Sequence, residues 1–331
     1  MDPVSHALCG LTLVNLDRSG RVGTAARVAA IAGALAPDSD VVKVFSGWDR
    51  YLVVHQAGTH SIAGAVACAV AVTLACRAIT RTSARVLLAA ALAGALSHVA
   101  LDLLSGATIR LFWPVWDVRF SAPLVAMVDP WLAGTLLLGT LASLSVRRRS
   151  TRALTTVVVI VALLAIKAVV LGVAWRVYEA RTPHDTVQAS LAEAEWASLT
   201  TWFVNDRTAS DVRRWRVDAL HGRVVLELSR PTGDNVLGPR LRQLETVRNL
   251  LRAHDFAFGT STSAGGIDRV SWSDIRYCWD PQLATPPIEA GTVLRPTTER
   301  VACGLWFGGT FSASGTPIAQ FVSVGSYVQS R

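Results

Sequence analysis

The chain has 331 residues, of which 51% are hydrophobic and only 17% charged, with a net charge of +8 and a mean hydropathy of +0.38. An ordinary soluble domain carries about 25% charged residues, so these values exclude a chain that is soluble throughout, and the length suits two domains. The charge is also unevenly placed. No glutamate occurs from Met1 to Trp175, whereas both signs, prolines and polar turns become frequent beyond Arg176.

Two short apolar pieces come first, Val4–Leu16 and Val22–Pro37. At 1.5 Å per residue they reach about 20–24 Å, short of the ~30 Å hydrocarbon core of a bilayer, which predicts tilted, shallow or re-entrant helices. No cationic stretch precedes them, so a cleaved signal peptide is not expected. Ser61–Ile79 and Ala84–Leu104 are long enough to span. Leu124–Val146 is a further span, interrupted near its start by Asp129-Pro130, and Ala153–Trp175 closes the apolar half.

Arginines occupy alternate loops: Arg18, Arg21 and Arg27, then Arg77, Arg81 and Arg85, then Arg147, Arg148, Arg149 and Arg152. This is the positive-inside pattern. It places these loops in the cytoplasm and reads the net charge as topology, not as a nucleic-acid surface.

Beyond Arg176 the patterning is that of a soluble α+β domain. Thr186–Thr200 and Asn235–Ala253 read as helices; in the latter Leu237, Leu241, Leu244, Val247 and Leu251 recur at helical spacing. Trp215–Leu220 and Arg223–Leu228 alternate around His221-Gly222, which predicts a hairpin. Strands are expected near Asp268–Trp279, Arg300–Phe307 and Ala319–Val328. The fold class is therefore an α-helical polytopic membrane domain over residues 1–175 and an α+β domain over residues 176–331, with the latter extracytoplasmic.

Four of the seven histidines sit with aspartates in the apolar half: His6, Asp38 and Asp40 after Pro37, His55 and His60 in HQAGTHS, and His98 with Asp102 in SHVALDLL. Asp129 follows in VDPW. Imidazole and carboxylate are the usual ligands of zinc and similar divalent ions, and ionisable groups within apolar sequence are costly enough to suggest function. His98 and Asp102 stand at i and i+4, on one helix face. Walking the topology along the chain brings every one of these residues to the same, outer membrane face. Arg110 and Arg119, in the same outer loop, suit a phosphate, although interfacial anchoring is the simpler account of them. A transporter is the rival reading, carried by Lys167 inside the last span, with snorkelling as the simpler account of that lysine; a noncatalytic metal sensor is the third.

His184, His221 and His254 lack metal-like spacing and read as surface or turn residues, while Trp196, Trp202, Trp215, Trp272, Trp279 and Trp306 read mostly as core. Cys9, Cys68 and Cys76 lie in apolar helices as packing residues. Cys278 and Cys303 are the two cysteines of the second half, and outside the cytoplasm a disulfide between them is permitted.

The order MDPVSHALCG, APDSDVV, HQAGTHSIAG, SHVALDLLSGATIRLFWP and VDPW resembles the bacterial membrane-bound, metal-dependent hydrolases, also described as LexA-binding, inner membrane-associated hydrolases. The match spans about residues 1–135, with five motifs in order. It implies metal ligands at His6, Asp38, Asp40, His55, His60, His98 and Asp102, with Asp129 in the DP motif, and a place in the bacterial inner membrane. Gln56-Ala57 stands where the family usually has Arg-Gly. The LexA link is not carried over to this chain.

Two carboxylates and four imidazoles exceed what one zinc needs, which suggests two or more divalent ions, with zinc the first expectation. Asp38, Asp40 and Asp129 are the candidate bridging or base groups, acting on a water activated by the metal. The expected substrate is a phosphoester in a lipid-linked or amphiphilic molecule.

Overall fold

A computed structural model describes residues 1–19, 22–55, 57–143, 148–183, 186–233, 243–278, 295–296, 303–324 and 327–330. It divides into two compact units: Met1–Val42, Val54–Trp175 and Glu193–Trp202 form the first, and Lys43–Val53, Arg176–Ala192 and Phe203–Arg331 the second. The units thus do not follow a single cut after Trp175. One exchanged segment has a clear cause, because Trp48 and Leu52 pack into an apolar cluster with Leu244, Val247 and Leu250.

The first unit is helical. Helix α1 (Pro3–Val14) is capped by the Asp2 side chain, which accepts from Ser5 N. Helix α2 (Thr24–Leu35) runs into a 3-10 segment, Ala36–Ser46; the α3 that follows (Trp48–Val54) belongs to the second unit up to Val53. Helix α4 (Ile62–Ile79) begins at a Ser61 cap, then come α5 (Ala84–Leu104), α6 (Pro130–Ala142) and α7 (Arg149–Arg181). Helices α4, α5 and α7 are long and apolar enough to cross a membrane. The expected span Leu124–Val146 is corrected: α6 has 13 residues, about 20 Å. Its start is set by Pro130 behind an Asp129 cap, and Ser143 ends it.

Small residues let these helices approach closely. The core of α2, α4 and α5 is built from Ala26, Ala29, Ala30, Ala65, Ala69, Ala90, Ala91 and Ala95, with Leu87 and Val99. A Cβ on Gly94 would stand 2.1 Å from Ala30 O, so only glycine fits. This is the small-residue packing of membrane helices.

The second unit holds two antiparallel sheets. The first has the order β1 (Ala189–Ala194), β2 (Thr201–Arg207), β3 (Asp211–Asp218), β4 (Arg223–Pro231). The β3–β4 hairpin closes with Asp218 opposite Arg223. Helix α8 (Glu245–Ala253) precedes the second sheet, made of β5 (Ala257–Ala264), β6 (Ile267–Asp274), β7 (Arg295–Pro296), β8 (Leu305–Ser312), β9 (Pro317–Val324) and β10 (Tyr327–Ser330). Its strand order is β5-β6-β8-β9-β10-β7.

Several expectations change here. Thr186–Thr200, read as a helix from its Ala, Leu and Glu, forms β1 and the turn after it: pairing at a sheet edge overrides intrinsic propensity. The strand expected over Asp268–Trp279 ends at Asp274, where the Asp274 side chain accepts from Arg276 N and starts a short turn. Trp202, Trp272 and Trp306 are fully buried, whereas Trp196 is exposed. His254 is buried beside Asp274, Nδ1 to Oδ2 3.1 Å, and is no surface residue. His221 does sit at an exposed turn, bonded to Asp218. Cys278 and Cys303 form a disulfide. His184, Trp279, Leu237 and Leu241 lie outside the described residues.

Candidate metal centre

Four local structures deliver the site. Helix α1 carries His6 one turn from its capped start, and α2 ends where the 3-10 segment turns Asp38 and Asp40 inward. The loop before α4 carries His55 and His60. There Ser61 Oγ accepts from Gly64 N at 3.0 Å and donates to Gly58 O at 2.7 Å. A Cβ on Gly64 would lie 1.9 Å from Gly58 O, so glycine is required for this loop to lie against its own helix. His98 and Asp102 come from the last two turns of α5.

The structure brings His6, Asp38, Asp40, His55, His60, His98 and Asp102 into one network. Asp102 Oδ1 lies 3.2 Å from His6 Nε2, and Oδ2 lies 3.1 Å from His98 Nε2 and 3.5 Å from His60 Nε2. Asp38 Oδ1 is 3.3 Å from His60 Nε2 and 3.6 Å from His98 Nε2. Asp40 Oδ2 is 3.1 Å from His55 Nδ1 and 3.8 Å from His60 Nδ1. The His6 and His98 rings stack at 3.9 Å. The ammonium of Met1 also reaches Asp102 Oδ1, at 2.5 Å.

Two groups within this network could hold an ion: His6, His98 and Asp102, all buried, and Asp38, His55 and His60. The donor geometry fits. Two ligands held ~2.0–2.1 Å from one tetrahedral zinc stand about 3.3 Å apart; His6–Asp102, His98–Asp102 and His60–Asp38 are 3.1–3.3 Å apart, and all ligand atoms of each group lie within 4.8 Å of one another. The Nε2 atoms of His6, His60 and His98 are buried without a hydrogen bond of normal geometry, a costly state for protein alone. Two of these imidazoles are also oriented from behind. His98 Nδ1 lies 2.7 Å from Ala34 O and His60 Nδ1 lies 3.2 Å from Thr59 Oγ1. A Nδ1–H donated to Ala34 O leaves the His98 Nε2 lone pair facing the cluster, the usual arrangement behind a metal-binding histidine.

Sequence reasoning missed both supports. The signal for the first was the alanine and glycine pattern of α2 and α5, which lets the backbone of one reach the imidazole of the other. Electrostatics also favour charge at the outer group. Burial raises the Asp38 carboxyl, but the neighbouring imidazoles of His60 and His98 outweigh it and leave it net below the usual carboxylate value.

Asp129 occupies a different setting. Its Oδ1 accepts from Trp131 N and Leu132 N, and its Oδ2 accepts from Lys167 Nζ at 2.7 Å and from Ala126 N. The carboxylate caps α6 and neutralises the lysine of α7, and both side chains are fully buried. Lys167 is therefore paired in the interior and does not snorkel. Arg110 Nε lies 3.3 Å from Asp117 Oδ1, and Arg119 is half-buried on the same hairpin.

No curated protein and no solved structure matches the chain. The family model of the YdjM inner membrane protein matches residues 1–175, more than half of the 331 and the part that contains every residue of the network. The chain belongs to the YdjM inner membrane protein family.

Proposed function

We propose that this inner membrane protein is a metal-dependent hydrolase, with its His/Asp network at the outer headgroup level and a phosphoester of a lipid-linked or amphiphilic molecule as substrate. The observation that carries this reading is the convergence of four imidazoles and three carboxylates, with the Nε2 atoms of His6, His60 and His98 buried and without a hydrogen bond of normal geometry. The donor set of nitrogen and oxygen suits zinc and its neighbours, and two adjacent groups make room for more than one ion.

In this reading His6, His98 and Asp102 hold one ion and Asp38, His55 and His60 hold or share a second. When bound, a divalent ion supplies Lewis acidity and lowers the pKa of a water toward neutrality. Asp38 is the one carboxylate of the set with a substantially exposed side chain, at 36%. Its Oδ2, left over when Oδ1 serves the ion-holding group, takes the proton of the attacking water and passes it to the leaving alcohol. Water oxygen bonds to phosphorus, the ester P–O bond breaks, and the alcohol departs with that proton. Asp40 holds the His55 ring through Nδ1, and Arg119 steadies the phosphate.

Helices α4, α5 and α7 cross the membrane, the basic loops stay in the cytoplasm, and the sheet unit lies outside, where its disulfide is stable. Pairing of Lys167 with Asp129 gives that lysine a structural partner, which supports the hydrolase reading over an ion pathway. The test is an assay of phosphoester, ester and amide lipids in vesicles, with chelator and after zinc is restored. Phosphoester cleavage lost with chelator and regained with zinc supports the reading. Turnover that survives complete metal removal overturns the mechanism, and cleavage confined to amides overturns the substrate class.

A further inference from the structure

Between α5 and α6 the chain makes a small hairpin closed by antiparallel pairing of Ile109 with Phe120. Its tip is apolar and outward: Phe112, Trp113 and Val118 are exposed, Trp116 is 54% exposed and Val115 is 93% exposed. The rings are nevertheless ordered against one another. Phe112 stacks on Trp116 at 5.9 Å, and Phe120 meets both edge-on at 5.4 and 5.8 Å. Arg110 and Asp117 pair at its neck.

The hairpin is tied to the metal centre on both sides. Ala107 N donates to Asp102 O, and Ala122 N to Leu103 O, at the end of α5. Ile62 N, two residues after His60, donates to Leu111 O at 3.0 Å. From Ile62 the apolar surface continues without a break along α4 through exposed Val66, Val70 and Leu74. In an inner membrane protein that surface faces lipid. Tryptophan and phenylalanine beside a guanidinium–carboxylate pair is the composition that settles at the headgroup boundary.

We infer that the Phe112–Val118 hairpin is an interfacial wedge seated in the lipid headgroup layer beside the His/Asp network, on the side from which a lipid-borne substrate would arrive. The occupant of this face is the bilayer itself, since the patch is continuous with the apolar side of α4. The lipid-borne substrate rests on the proposed hydrolase reading; the seating of the wedge does not.

The test is a nitroxide on Val115→Cys, in the full chain with Cys9, Cys68 and Cys76 replaced by alanine, reconstituted in phosphatidylethanolamine–phosphatidylglycerol vesicles. Collision rates with oxygen and with a water-soluble nickel chelate are compared with those of a label on Leu220→Cys, an exposed turn residue of the sheet unit. The wedge predicts that oxygen collisions exceed nickel collisions at Val115 and that the order reverses at Leu220. Water-like rates at Val115 overturn it, and so does spin–spin broadening there, which would assign the face to a second copy. Brominated-lipid quenching gives an independent reading without the label: quenching of the native chain should exceed that of the Trp113→Phe/Trp116→Phe variant, and equal quenching contradicts the wedge. Both results stand whether or not any phosphoester is cleaved.

Discussion

His60 Nε2 lies 3.3 Å from Asp38 Oδ1 and 3.5 Å from Asp102 Oδ2, so one imidazole joins a carboxylate of the turn after α2 to a carboxylate at the end of α5. Removing it affects both ion-holding groups. His60→Ala should therefore lower bound metal more than His55→Ala, which loses one ligand of the outer group only. Thr59→Val, which takes away the hydrogen-bond partner of His60 Nδ1, should weaken metal affinity by about 10–100-fold with the fold intact. Competition with a zinc chelator reads both effects. Equal losses from His60→Ala and His55→Ala would remove the joining role.

The close contact of α2 and α5 gives a second expectation. Gly94→Val places a methine carbon 2.1 Å from Ala30 O, so the helices must part and His98 Nδ1 must leave Ala34 O. Overpacking of this kind costs about 1–3 kcal/mol. The melting temperature in detergent and the metal content should fall together. A drop in melting temperature with unchanged metal would show that His98 is held in place by other contacts.

Asp129, a candidate for a chemical role from its sequence motif, caps α6 and pairs with Lys167. Lys167→Met leaves the buried carboxylate unpaired, a loss of about 3–5 kcal/mol. The double variant Lys167→Met/Asp129→Asn should recover much of that stability, and each variant that folds should keep its metal. An Asp129→Asn chain of native stability that has lost its hydrolysis would restore Asp129 to the chemistry.

The sheet unit carries its own acid-sensitive point. Burial pushes the Asp274 carboxyl up, but Arg276, whose Nη2 lies 2.6 Å away, and His254 outweigh it and hold the group well below the usual carboxylate range. A pKa depressed on folding contributes stability that is complete above the unfolded value of ~3.9 and fades as pH falls below it. Asp274→Asn should lower the melting temperature at pH 7, and the gap from the native chain should narrow below about pH 4. A gap constant from pH 7 to pH 3 would contradict this.

Orientation has a direct reading. Leu220→Cys in the exposed hairpin turn should react with a membrane-impermeant maleimide on spheroplasts, whereas Arg81→Cys should react only after permeabilisation. The reverse pattern would turn the protein over in the membrane and place the Cys278–Cys303 disulfide in a reducing compartment.

What was legible in the sequence was whatever local spacing determines. His98 and Asp102 share a helix face because they are four residues apart, and the apolar lengths of α4 and α5 need no tertiary information. The motif order also marked out the residues that the structure gathers. The rest depends on partners distant in the chain. The Lys167–Asp129 pair spans 38 residues, and an isolated lysine in an apolar helix looks the same whether it snorkels or is paired. Ala34 supports His98 through a backbone carbonyl, which no residue type announces. Strand β1 looked helical because alanine, leucine and glutamate favour helix until a neighbouring strand offers hydrogen bonds.

Metal stoichiometry of the purified protein tests the central claim most directly. Elemental mass spectrometry after exhaustive dialysis should find at least one divalent ion per native chain, a loss of bound ion in His60→Ala and Asp102→Ala, and native content in Asp129→Asn. A native chain without stoichiometric metal, or one whose metal survives loss of both His60 and Asp102, would contradict the account.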